Sequence, residues 1–115
     1  MSWLEVIGTT IINFFRRDPQ LCGTERSEEW PRVRAEHLAV EPHCVVCGSK
    51  GTVEVHHIFP FHLYPEKELD PANLITLCRK SGCHWIFGHL CSWASHNKTC
   101  REDAMEWLFK IRNRP

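Results

Sequence analysis

The chain has 115 residues, enough for one domain with a modest core and too few for two. Hydrophobic residues make up 43% and charged residues 24%, a balance that argues against wholesale disorder. Lys and Arg together number 14, and so do Asp and Glu, so the net charge is zero. This balance disfavours a binder that depends mainly on neutralising nucleic-acid phosphates, but not an enzyme that contacts a few of them.

Cysteine and histidine are strongly over-represented, with seven and eight residues in so short a chain. The odd cysteine count, the C-x-x-C clustering and the interleaved histidines fit metal binding in a reducing compartment better than a disulfide framework. We therefore predict an intracellular, cytoplasmic protein.

The first 25 residues are predicted to form an N-terminal apolar helix and linker. Residues 3–15 are mostly apolar and are followed by Arg16 and Arg17. The run is too short to span a bilayer as a helix, and its positive charge follows the apolar part, unlike that of a signal peptide. We expect the helix to pack on the domain. A peripheral membrane contact stays open, and no firm membrane partner is predicted.

A helix is predicted to begin near Ser27, a good N-cap residue, and to end at Glu41, which precedes Pro42. Residues at helical spacing predict its buried face: these are Trp30, Val33, His37 and Leu38. His37 is expected to pack rather than to bind metal.

Two short strands are predicted next, over residues 52–58 and 73–77. The proline-containing segment between them is predicted to be a loop in which His62 is solvated or packs. A helix is expected from Cys83, interrupted by Gly88. A last helix over about residues 100–113 is expected to begin with a capping box of Thr99 and Glu102. Its packing face has i, i+3, i+4, i+7 spacing: Ala104, Trp107, Leu108 and Ile111.

Two cysteine pairs bracket the strands and predict one structural zinc site, because zinc prefers four thiolate or imidazole ligands in a tetrahedron. The ligands would be Cys44, Cys47, Cys78 and Cys83. Four reduced core cysteines are the alternative. Gly48 follows the first cysteine pair, and Gly82 precedes Cys83. Both lie where metal-binding loops need the backbone freedom of glycine. The surplus cysteines are Cys22, Cys91 and Cys100. His96 and Cys100 have i, i+4 spacing and could face one ion, but packing or capping is favoured.

His56 and His57 are adjacent on the first predicted strand, so their side chains should point to opposite faces. Gripping one ion side by side is therefore disfavoured. Two separate roles, one as a metal ligand and one as a proton acceptor, suit the near-neutral pKa of histidine.

The order C-x-x-C, V-H-H-I, N-L-I-x-L-C and C-H over residues 44–89 resembles the HNH endonuclease family. The resemblance implies an α+β fold. Its ββα-metal (HNH) core over residues 44–89 would contain zinc-stapled knuckles, short loops whose cysteines bind the zinc. N- and C-terminal helices would flank this core, and the nuclease domain would span residues 26–115.

The resemblance also implies a role for each motif residue. His57 would be the general base that activates water, and Asn73 would hold the loop and orient that base. His56 and His84 would bind a catalytic divalent ion, His56 standing where many members have aspartate. His89 would be a third ligand. Its spacing of five from His84 places it about 140° away on an ideal helix, so it reaches the ion only if Gly88 ends or distorts the helix.

The implied function is metal-dependent hydrolysis of DNA phosphodiester bonds with a single catalytic ion, which could be Mg²⁺, Mn²⁺, Ni²⁺ or Zn²⁺. Double-stranded DNA is the predicted partner, and the oligomeric state is not indicated. Candidate nucleic-acid contacts are Arg79, Lys80, Lys98 and Arg101. The alternative is a non-catalytic zinc-binding module for nucleic acid or protein. The complete motif favours the enzyme, because a degenerate module would be expected to lack at least one of its residues.

Overall fold

The computed structural model describes residues 25–115. The predicted N-terminal helix over residues 1–25 and Cys22 lie outside the described residues, apart from Glu25. Within residues 25–115, no helix has the length and apolarity needed to cross a membrane.

The predicted α+β class is confirmed: two antiparallel strands are combined with helices before and after them. Helix α1 spans Trp30–Val40, strand β1 Val53–His57, strand β2 Leu74–Cys78 and helix α2 Cys100–Arg112. A π-helical turn, His84–Gly88, lies between β2 and α2, and two 3-10 turns, Pro65–Lys67 and Pro71–Asn73, lie in the connection between the strands. Both strands agree with the predicted ones to within one residue at each end.

The register of the two strands separates the cysteines from the histidine pair. Val53 lies opposite Cys78, and His57 lies opposite Leu74 at the other end of the hairpin. Four residues of strand span about 13 Å. The first cysteine pair joins the Cys78 end, because the Val45 N–H donates to the carbonyl of Thr76 at 3.0 Å. One end of the sheet therefore collects thiols and the other presents His57.

The core lies on β2, whose five residues are all buried. Helix α2 closes it through Cys100 and Ala104, both fully buried, and α1 contributes Val33. The predicted packing face of α2 is therefore present at Ala104, whereas Trp107 remains 48% exposed.

The predicted start of α1 needs correction, whereas α2 begins at Cys100 as predicted and differs only in its capping contacts. Helix α1 begins at Trp30 after Glu29, and the Ser27 hydroxyl accepts the Glu29 N–H at 3.0 Å in the turn before the helix. At α2, Thr99 is the N-cap residue, but its hydroxyl bonds the Asp103 carboxylate at 3.0 Å instead of a backbone N–H. The Thr99 N–H, which Glu102 would accept in a capping box, is instead bonded to Asn97 Oδ1 at 3.1 Å, so the predicted capping box is absent.

Glu41 fastens α1 to β2 and α2, a role that its position at a helix end did not reveal. Its carboxylate accepts from both terminal nitrogens of Arg101, at 3.0 and 3.2 Å, and from the Thr76 N–H at 3.0 Å. Arg101 also donates to the Leu74 carbonyl at 2.8 Å. Burial alone would raise the pKa of Glu41, but the Arg101 and Thr76 hydrogen bonds and the Arg101 charge lower it below its usual value.

Candidate metal centres and active site

Four cysteines converge into one cluster, as the sequence predicts. One sulfur from each lies within 4.8 Å of the others: Cys44, Cys47, Cys78 and Cys83. The sulfurs of Cys47 and Cys78 are 3.6 Å apart, far beyond a disulfide bond of about 2.05 Å. Two thiolates on a tetrahedral zinc with bonds of about 2.3 Å would lie about 3.8 Å apart. The cluster therefore fits a structural metal such as zinc.

The loops around this cluster have the relaxed backbone that the sequence predicts. Gly48 and Gly82 have φ values of +77° and +79°, in the left-handed region that favours glycine. Burial raises the pKa values of Cys44 and Cys83. Burial would also raise the pKa of Cys78, but hydrogen bonds from backbone N–H groups lower it. Metal-bound cysteines are thiolates, so a cation at the cluster would offset the burial that favours the protonated form of Cys44 and Cys83.

Three histidines form a second cluster, with one ring nitrogen of each within 4.8 Å of the others: His56, His84 and His89. The rings meet edge-on or tilted, with centroids 4.9 to 5.0 Å apart. His56 Nδ1 lies 3.1 Å from His84 Nε2. Two nitrogens on a tetrahedral zinc-type centre would be about 3.4 Å apart, so the cluster fits a divalent ion.

Hydrogen bonds to the far side of two rings select the nitrogen that faces the cluster. His84 Nδ1 lies 2.7 Å from the Glu54 carboxylate, and His89 Nδ1 lies 2.8 Å from the Ser95 carbonyl. Both acceptors require a proton on Nδ1, so Nε2 is the nitrogen of each ring that can offer a lone pair to the cluster. Glu54 is not among the residues predicted from the sequence, although it lies two residues before His56 on the same face of β1.

A π-helical turn accommodates the five-residue spacing between His84 and His89. In an ideal α-helix a separation of five residues turns His89 away from His84. The turn over His84–Gly88 has π geometry, in which hydrogen bonds join residues five apart and such residues stack. The predicted distortion is therefore present, but it begins at His84 and not at Gly88. Leu90 and Cys91, just after the turn, have φ values of +54° and +64°, a strained exit for non-glycine residues.

Gly88 has a different role, because it makes room for His56. A Cβ at Gly88 would lie 3.0 to 3.2 Å from three atoms of the His56 ring. The ring is 4% exposed, and its Nε2 has no hydrogen-bond partner among the described residues. Burial and the neighbouring histidines lower the pKa of His56 to about 2. The ring is therefore neutral and available as a ligand.

His57 occupies the other face of β1, as strand geometry predicts. Its Nε2 lies 2.9 Å from the carbonyl of Glu68, so that nitrogen carries the proton and Nδ1 has the free lone pair. The ring of Trp30 packs against it, with centroids 4.5 Å apart. Burial lowers the pKa of His57, although the Glu68 carbonyl opposes the shift.

Asn73 holds the loop that carries the partner of His57. Its Oδ1 accepts the Phe59 N–H at 2.8 Å, and its Nδ2 donates to the carbonyls of Phe59 and Lys67 at 3.0 and 3.1 Å. Lys67 precedes Glu68, whose carbonyl contacts His57. The Asn73 amide thus fixes both ends of the loop between the strands and does not itself face the cleft.

The three-histidine cluster and His57 both open into one cleft of about 400 Å³. Its walls are Arg26, Val55, His56, His57, Pro60, Phe61, His62, His84 and His89. Trp93 stands outside this cleft, 63% exposed, with its ring centroid 4.8 Å from His89 and 5.4 Å from His84.

The four predicted nucleic-acid contacts differ in their surroundings. Lys80 and Lys98 are exposed, and Arg79 is exposed beside Glu54 at 3.5 Å. Arg101 is already bound to Glu41 and to the Leu74 carbonyl, so its guanidinium is occupied within the chain.

His96 and Cys100 do not form a third ligand cluster within the part of the chain that the structure describes. Cys100 is fully buried in the core, and burial raises its pKa to about 12. His37 bonds Glu41 at 3.0 Å, as a packing residue would.

The fold and the two clusters define a ββα arrangement with a thiol site beside a histidine site. Residues 44–85 match the family model described as HNH endonuclease. The match confirms the resemblance that the sequence motifs indicate, and it suggests a nuclease-type family with nucleic acid as partner. It ends before His89 and begins after α1. No curated protein matches the chain.

Proposed function

We propose that the protein is a metal-dependent endonuclease that hydrolyses phosphodiester bonds in double-stranded DNA. The observation that carries the proposal is the convergence of two different histidine environments on one cleft: a three-histidine cluster suited to a divalent ion, and His57 with a free Nδ1. A structural role alone would not need an unpartnered, buried imidazole nitrogen beside two oriented ones.

His56, His84 and His89 would hold the ion, which when bound would polarise the scissile phosphate and stabilise charge on the leaving oxygen. Glu54 and the Ser95 carbonyl keep two of these rings in the required tautomer. Three imidazoles favour Ni²⁺, Mn²⁺ or Zn²⁺ over Mg²⁺ in affinity, although Mg²⁺ remains a candidate by abundance.

His57 would act as the general base. Its Nδ1 would accept a proton from the attacking water, while Nε2–H stays bonded to the Glu68 carbonyl. That bond fixes the ring plane and stabilises the imidazolium that forms. Asn73 acts as a positioning residue, because its three hydrogen bonds hold the loop on which this carbonyl lies.

Four cysteines would hold the structural zinc away from the chemistry, with all ligand positions taken by thiolates. Arg79, Lys80 and Lys98 are exposed and would contribute phosphate contacts. With so few contacts and no net charge, modest affinity and little sequence specificity are expected.

A plasmid cleavage assay tests this proposal. Purified chain is incubated with supercoiled DNA over a series of Mg²⁺, Mn²⁺, Ni²⁺ and Zn²⁺ concentrations and with EDTA, and metal content is measured on the same sample. Two ions per chain and cleavage that EDTA abolishes support the enzyme. Folded chain with one zinc and no cleavage with any ion would favour the alternative, a non-catalytic zinc module.

A further inference from the structure

Two arginines of the α1 region, outside the segment that matches the family model, stand beside His57. Arg26 lines the 400 Å³ cleft and also a second cleft of about 300 Å³. The second cleft is bounded by Arg26, Trp30, Arg34, Glu54, Val55, His57 and His84. His57 and His84 are therefore shared by the two clefts, and Arg26 stands where they meet.

Arg26 is held in place from three sides. Its guanidinium lies 5.3 Å from the centroid of the Trp30 ring and 4.6 Å from that of Phe61. Its Nη1 is 3.6 Å from the carboxylate of Glu68, whose side chain is only 5% exposed. Half of the Arg26 side chain nevertheless remains exposed, at 48%. An arginine clamped by two rings and one carboxylate keeps several N–H donors for a ligand at little cost in conformational entropy.

Glu68 connects this arginine to the proposed base. Its backbone carbonyl bonds His57, and its carboxylate faces Arg26 and accepts the Ser27 N–H at 3.2 Å. The arginine and the base are thus positioned by one buried residue.

Arg34 differs from its neighbour on the same helix. Arg32 is paired with Glu29 and Glu36, both at 2.8 Å. Arg34 has no ion pair with any residue in the range 25–115 and faces the second cleft. The acid that lines this cleft, Glu54, is already engaged by His84 and Arg79. Within the part of the chain that the structure describes, Arg34 is therefore an arginine of α1 available for an external anion.

We propose that Arg26 and Arg34 form a phosphate-binding subsite through which the DNA backbone approaches His57 along α1. Arg26 binds a non-bridging oxygen of the phosphate at or next to the scissile bond, and Arg34 binds a neighbouring phosphate. The inference rests on the proposed function for the identity of the ligand. It adds a binding surface that comes from α1 and the turn before it, outside the matched segment.

The test measures binding separately from cleavage. Full-length protein carrying His57→Ala is titrated into a fluorescein-labelled 20-base-pair duplex at several salt concentrations, with Arg26→Ala, Arg34→Ala or Arg32→Ala added. Arg32→Ala is the matched control, because it removes one positive charge from α1, as Arg34→Ala does, at a residue that lines neither cleft. Arg26→Lys is included because loss of the clamped side chain can disturb the fold, and zinc content and circular dichroism are checked for each variant.

We expect about tenfold weaker binding for Arg26→Ala and for Arg34→Ala, uniformly across DNA sequences, and a salt slope reduced by about one for each. Arg32→Ala should change affinity less than twofold, and Arg26→Lys should fall in between. Affinities of Arg26→Ala and Arg34→Ala equal to that of the Arg32→Ala control would overturn the subsite. Absence of duplex binding by the parent protein would overturn it as well. The proposed function is judged separately, by whether wild-type protein cleaves.

Discussion

Gly88 lies against the face of the His56 ring, so close that a Cβ would come within 3.0 to 3.2 Å of three ring atoms. The glycine is needed for space and not for an unusual φ. This contact packs the π-helical turn directly against β1 beside the histidine cluster.

Gly88→Ala should therefore damage the histidine cluster while the fold survives. The methyl group must displace the His56 ring by a few tenths of an ångström, whereas the gain in helix propensity is about 1 kcal/mol. We expect at least tenfold weaker Ni²⁺ or Co²⁺ binding at the second site, measured by titration of zinc-loaded protein. Gly51→Ala is the control, because a Cβ there meets nothing within 4 Å. Equal metal affinity in the two variants would show that His56 can shift freely.

Removing the thiol-bound metal should cost most of the stability. The sheet has only two strands, and the cysteines tie residues 44–47 to the end of β2, so a chelator or Cys47→Ser should remove a contribution of several kcal/mol. Thermal unfolding monitored by circular dichroism checks this. Cys91→Ser is the matched control, since Cys91 is an exposed free thiol outside both clusters. If the chelated protein unfolds at the same temperature as the metal-loaded protein, the thiol-bound metal does not stabilise the fold.

Arg101→Ala should destabilise the protein by about 1 to 2 kcal/mol, because it leaves the half-buried Glu41 without its cation. Lys98→Ala, an exposed substitution, should change stability by less than about 0.5 kcal/mol. Urea unfolding of both variants at pH 7 measures the difference.

The ion pair between Glu41 and Arg101 should also make the free energy of unfolding depend on pH. The pKa of Glu41 is lowered in the folded state, so its contribution is fully present above the usual carboxyl value of 4.5 and is lost as pH falls below it. The stability difference between wild type and Arg101→Ala should therefore shrink below pH 4.5. His37, the other titratable partner of Glu41, is present in both proteins. A difference that stays constant to low pH would contradict the assignment.

Asn73→Ala should reduce cleavage more than it reduces metal content. Loss of three hydrogen bonds frees the loop that carries the Glu68 carbonyl, so His57 loses its fixed orientation. We expect a 10- to 100-fold lower cleavage rate constant and a stability loss of about 1 to 3 kcal/mol. Asp70→Ala removes only an exposed cap on Ala72 and should leave the rate unchanged. An unchanged rate in Asn73→Ala would show that the loop does not position the base.

Much of this arrangement is readable from the sequence, because it follows from short-range patterns. Strand alternation places His56 and His57 on opposite faces, and the paired cysteines with adjacent glycines locate the thiol cluster. Long-range partners are not readable in this way. Glu54, Glu68 and Arg26 acquire their roles only when the strand register and the loop bring them to histidines elsewhere in the chain.

The position of His89 is one that helical periodicity does not predict. An α-helical pattern assumes 3.6 residues per turn, so it cannot indicate that residues five apart will close a π turn. The capping box at Thr99 fails because Asn97 accepts the Thr99 N–H and Asp103 accepts the Thr99 hydroxyl.

We propose His57 as the base and His56, His84 and His89 as the ligands of the catalytic ion. The most direct measurement is the single-turnover cleavage rate constant of His57→Ala beside wild type, with metal content measured for each. His43→Ala, an exposed histidine in neither cluster, is the control. We expect two ions per chain in all three proteins and a rate at least 100-fold lower in His57→Ala alone. Cleavage by His57→Ala at the wild-type rate, with both ions bound, would contradict it.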